Sequence, residues 1–108
     1  MTGIVYIGEN TIGTADFKIS DESMGGIIGD FIPNEFYQTY KKQIQSISEK
    51  RGIANITDFN FRILIDNKEL EPVGGIGITD LKEFDEIVIE SVGNRQEIIE
   101  RIKEEASR

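Results

Sequence analysis

The sequence predicts an α+β fold: a two-layer sandwich whose antiparallel or mixed sheet of about five or six strands carries two amphipathic helices on one face. Three observations predict it. Stretches such as "TADFKIS" and "DFNFRILID" alternate apolar and polar residues, the period of a strand buried on one side only. Residues 34–51 and 94–106 instead repeat their apolar side chains every three or four positions, as a helix with one buried stripe does. Clusters containing glycine, asparagine and aspartate separate these segments at short intervals.

The elements follow in order. "IVYI" at 4–7 reads as a short strand. In "TADFKIS", Ala15, Phe17 and Ile19 share one face, and Thr14, Asp16 and Lys18 the other. "DESMGG" supplies turn chemistry, and "IIGDFI" resumes as a strand with Gly29 as a bulge. Pro33 and Asn34 mark the next boundary, with Asn34 as cap of a helix over 34–51. Phe36 or Tyr37, Tyr40, Ile44 and Ile47 form its apolar stripe. Lys50, Arg51 and Gly52 suit its C-terminal end.

The second half opens with a strand over 58–66, where Phe59, Phe61, Ile63 and Ile65 alternate inward. "DNKE" at 66–69 is a tight turn into a short strand near "LEPV". Residues 74–83 read as a glycine-rich ordered loop, and 84–92 as the last strand. Asn94 and Glu97 resemble a capping box that starts a helix over 94–106, with Ile98, Ile99, Ile102 and Ala106 on its buried face. "GGI" occurs at 25–27 and again at 74–76, each between strand-like stretches and ahead of a helix. That order admits a repeat of ββα units.

With 108 residues, the chain is expected to form a single domain, 1–108. It contains no cysteine and no histidine, which removes disulfides, thiolate metal sites and the commonest general base. No metal and no cofactor is expected. "MTGIVYIGEN" has no basic region followed by a long apolar run, and no stretch approaches the ~20 apolar residues of a membrane span. A cytoplasmic protein without membrane contact is the expectation. The net charge of −8 argues against nucleic acid, whose binding relies on lysine and arginine. That charge is uneven: residues 58–90 hold nine acids and three bases, whereas 34–51 hold two acids and four bases.

Two loops invite a phosphate-binding reading, Gly25–Gly26 and Gly74–Gly75. Neither fits. A P-loop requires lysine and then serine or threonine after its last glycine, but Asp30 follows Gly29. "GGIG" at 74–77 lacks the third glycine of a dinucleotide fingerprint. Turning the chain is the simpler use of these glycines. Asp80, Glu83, Asp85 and Glu86 lack the order of a calcium loop and read as a solvated acidic loop. Asn55–Ile56–Thr57 matches a glycosylation sequon that has no meaning without secretion.

Shape and charge remain. The expected role is a non-enzymatic interaction module, such as an immunity or inhibitor protein masking a basic effector. Asp80, Glu83, Asp85, Glu86, Glu69 and Glu71 are its candidate partner-binding residues. The alternative is a small-ligand-binding protein or carboxylate-based enzyme with a site between the glycine loops. Glu22, Gly25, Gly26, Glu71, Gly74 and Gly75 would line that site, with Glu22 and Glu71 facing each other. A third region is the outer sheet face, where Thr14, Asp16, Lys18, Asn60 and Arg62 form either solvated surface or a flat docking platform.

Overall fold

A computed structural model describes residues 1–55 and 57–107, so Ile56 of the sequon lies outside the described residues. The chain runs β1 (Thr2–Ile7), β2 (Asn10–Asp21), β3 (Gly26–Pro33), α1 (Tyr37–Arg51), β4 (Ala54–Asn55), β5 (Phe61–Ile65), β6 (Lys68–Glu69), β7 (Gly75–Asp80), β8 (Ile87–Val92) and α2 (Gln96–Ala106). Among the described residues the strands form one sheet in the order β4-β7-β8-β3-β2-β1-β5-β6. Every pairing is antiparallel.

The expected sandwich of five or six strands is therefore corrected to one curled eight-stranded half-barrel with two helices. Part of the difference is β7, expected as a loop because glycines weaken strand propensity. Gly77 is there for packing: a Cβ on it would lie 2.3 Å from Ile53 Cδ1, so the glycine admits Ile53 over the sheet. Ile76 and Ile78 then point inward to the core. The curl has a local origin as well. Register shifts interrupt the β1–β2 pairing between Val5 and Tyr6 and the β2–β3 pairing between Ile19 and Asp21, and such irregularities bend and twist a strand. Gly29 is not a bulge; it pairs in register with Phe17 and Ile89.

The ββα order does recur, as β2–β3–α1 and β7–β8–α2. The glycine pairs take different places in it: Gly25–Gly26 leads into β3, the second strand of its run, whereas Gly74–Gly75 leads into β7, the first.

The inner face carries one core. Val5, Ile12, Phe17, Ile27, Ile63, Ile78 and Ile89 from the sheet pack with Tyr37 and Ile44 of α1 and Ile99 and Ile102 of α2. Helix α1 lies against β7 and β4, and α2 against β2. Both helices start later than expected. Asn34 Oδ1 accepts the Phe36 N–H at 2.9 Å, closing a turn ahead of α1, and Phe36 is the N-cap with no side-chain cap bond. At α2 the N-cap is Arg95, because the Asn94 amide donates backwards to the Gly25 carbonyl at 2.9 Å and to Ser91 Oγ at 3.1 Å.

Candidate functional site

The acidic residues separate into three environments. Asp80 ends β7 with its side chain on the inner face, only 2% exposed. Its carboxylate accepts the Tyr37 hydroxyl at 2.6 Å and the Gln45 amide at 3.2 Å, while its own N–H donates to Ser48 Oγ at 3.1 Å. Tyr37, Gln45 and Ser48 lie on the buried side of α1, so this network ties helix to sheet. No ion pair reaches Asp80 among the described residues. The structure thus parts Asp80 from the exposed acids with which its position in sequence groups it.

Burial, and after it the hydrogen bond to Asp80, push the Tyr37 phenol far above its ordinary 10.0. Above that pH the unfolded chain releases a proton that the folded chain retains. This contribution to stability is full below pH 10 and falls as pH rises further, by up to about 1.4 kcal/mol per pH unit. Tyr37→Phe is expected to flatten that alkaline slope. Urea denaturation at several pH values on either side of 10 checks it, and an unchanged slope would assign the loss to other groups.

Glu69, Glu71 and Glu22 form the second environment, each held by a base. Glu69 Oε1 accepts from Arg62 Nε at 3.0 Å and Nη2 at 2.5 Å. This bond to Arg62 holds the Glu69 carboxyl below the usual range. Arg62 also lies over the Tyr6 ring and donates to the Gly8 carbonyl. Glu71 accepts from Arg95 at 2.8 Å, and Glu22 from Lys103 of α2 at 2.7 Å. Glu22 and Glu71 therefore engage different cations.

The glycine loops do come near each other, on opposite sides of residues 92–94. Gly93 N–H donates to the Met24 carbonyl and Asn94 N–H to the Gly25 carbonyl. On the other flank, Gly74 N–H donates to the Val92 carbonyl and Val73 N–H to the Gly93 carbonyl. Gly25 N–H and Gly75 N–H are taken up by the Glu22 and Pro72 carbonyls at 3.2 Å each. These amides complete turns and ladders, and an anion would find them already bonded. Asn94 Oδ1, buried between the loops, has no hydrogen-bond partner among the described residues.

The third environment is the β7–β8 connection. Glu83, Asp85 and Glu86 are exposed there, and no ion pair reaches them among the described residues. Phe84 sits among them, 62% exposed. With Thr79, Leu81, Asp85, Glu86 and Val88 it lines an open groove of about 460 Å³. The sequence pattern puts Phe84 in the last strand, 84–92, whereas that strand begins only at Ile87 and Phe84 lies in the connection ahead of it. Its parity was informative: it matches Glu86, Val88 and Glu90, whereas Ile89 and Ser91 are the buried set.

Val88 and Thr79 belong to the outer sheet face, so the groove opens onto that face. Thr79 pairs with Val88, Val88 with Asp30, and Asp30 with Asp16, in one cross-strand row. Besides Asp16, Lys18 and Arg62, the face carries Ile4, Ile28, Ile32 and Leu64, with Ile32 65% exposed. It is more apolar than the sequence led one to expect.

Among the described residues no group of three or more acids is arranged to hold a metal ion, and no helix is long and apolar enough to cross a membrane. Compared with known proteins, the chain matches no family model, no curated protein and no solved structure.

Proposed function

We propose that this chain is a cytoplasmic, non-enzymatic binding module that masks a basic protein partner, as an immunity or inhibitor protein does. The observation that carries the reading is the exposed Phe84 in a groove beside Asp85 and Glu86, with neither of these acids nor Glu83 in an ion pair among the described residues. An aromatic anchor ringed by uncompensated charge offers both contact area and electrostatic steering. Glu69 and Glu71, already held by Arg62 and Arg95, have less to give a partner. Asp80 serves the interior instead, joining α1 to β7.

Affinity capture from the native host tests the reading, using the wild-type chain and a Glu83→Lys/Asp85→Lys/Glu86→Lys variant over a sodium chloride series. The expected result is a basic protein whose retention falls as salt rises, with the variant weakened at least ~10-fold. A partner held equally by both chains and indifferent to salt would overturn it.

A further inference from the structure

We propose that the docking surface extends from the Phe84 groove across the outer sheet face to Asp30 and Asp16, and that it takes an arginine-bearing apolar segment of the partner. This inference rests on the function proposed above and names the part of the partner that is bound.

The surface is continuous. Val88 lines the groove and stands directly opposite Asp30, which stands directly opposite Asp16 on the next strand. Two strand spacings, roughly 10 Å, separate Val88 from Asp16. Along β3, Asp30 lies between Ile28 and Ile32 on the same face.

Charge selects the occupant. Facing carboxylates on neighbouring strands repel each other and cost stability. The Met1 ammonium reaches Asp16 at 2.8 Å, but no ion pair reaches Asp30 among the described residues. Over the whole strip, Asp16, Asp30, Glu83, Asp85, Glu86 and Glu90 stand against Lys18, Lys82 and that ammonium. Arg62 is spent on Glu69 and the Gly8 carbonyl. A second copy docked on this face would set like charge against like. A guanidinium satisfies it instead, because its planar fork can bridge two carboxylates while its stem lies on apolar surface such as Ile28, Ile32 and Val88. A neighbouring apolar side chain of the same segment then enters the groove beside Phe84.

The test uses blocked tetrapeptides as probes, Leu-Ser-Ser-Arg against Leu-Ser-Ser-Lys, Leu-Ser-Ser-Glu and Ser-Ser-Ser-Arg, titrated into the isotope-labelled chain and followed by amide NMR shifts. The arginine-and-leucine peptide is expected to bind tightest and to perturb residues 16–18, 28–32 and 84–90. Asp16→Asn/Asp30→Asn is expected to weaken it about tenfold, the loss of a charge-assisted hydrogen bond, with little change in stability, because relief of the Asp16–Asp30 repulsion offsets loss of the exposed Met1–Asp16 ion pair. Phe84→Ser is expected to abolish the preference for leucine over serine. Shifts confined to 83–86 and unchanged by Asp16→Asn/Asp30→Asn overturn the extended surface and leave the acidic groove as the binding site. Absence of any shift overturns the inference, while salt-sensitive capture of a basic protein still stands or falls separately. Sedimentation showing a dimer broken by Ile32→Lys overturns it in favour of a second copy.

Discussion

Asp80→Ala is expected to lower the free energy of unfolding by about 3 kcal/mol, read as a fall in the urea midpoint at unchanged slope. The substitution removes the acceptor for two donors, the Tyr37 hydroxyl and the Gln45 amide, in a part of the interior where Tyr37 is fully buried. Each donor is then left without its partner away from water, and that penalty exceeds the net worth of the bond itself. Asp80→Asn is expected to lose less, because the amide oxygen still accepts from Tyr37. Tyr37→Phe, combined with Asp80→Ala in a double-mutant cycle, should return a coupling of about 1.5–3 kcal/mol. A coupling near zero would mean that the 2.6 Å contact contributes little to stability.

Gly25→Ala is the second large effect, with an expected cost of about 3 kcal/mol and a comparable drop in midpoint. Gly25 has a φ of +63°, where a Cβ alone costs about 1–2 kcal/mol. Here that Cβ would also lie 2.5 Å from the Asn94 carbonyl oxygen and 2.8 Å from its nitrogen. The backbone would have to separate, breaking the two bonds that Asn94 donates to the Gly25 carbonyl. Gly8→Ala is the matched control: its φ is +58° and nothing lies within 4 Å of the added Cβ, so only the conformational cost applies. Equal losses at the two positions would remove the close approach to Asn94 from the explanation.

What the sequence made legible was local. The end of α1 followed from Lys50, Arg51 and Gly52, and Gly52 does take the left-handed conformation while its N–H donates to the Ser48 carbonyl. The turn at 66–69 followed from Asp66 and Asn67, which both adopt positive φ between β5 and β6. What was not legible depended on distant chain. Gly77 reads as a strand breaker until Ile53 is known to lie over it. Asp80 reads as one more surface acid because its partners sit on α1, with Tyr37 43 residues away. Glu22 and Glu71 each stand three residues before a glycine pair, a spacing that suggests they face each other. Pairing with Lys103 and Arg95 depends on where α2 returns to the sheet, which spacing does not encode. Asp16 is legible as an outward residue, but that Asp30 stands directly opposite it needs the β2–β3 register.

Among the described residues the two outermost strands, β4 and β6, are each only two residues long. A sheet that stops this abruptly offers an incoming extended chain almost no ladder on which to stack, and Lys68 and Glu69 place charge on one of those borders. Edge-to-edge stacking of this isoleucine-rich chain is therefore disfavoured at β4 and β6 themselves, and the longer β5 and β7 behind them are the strands left to accept it.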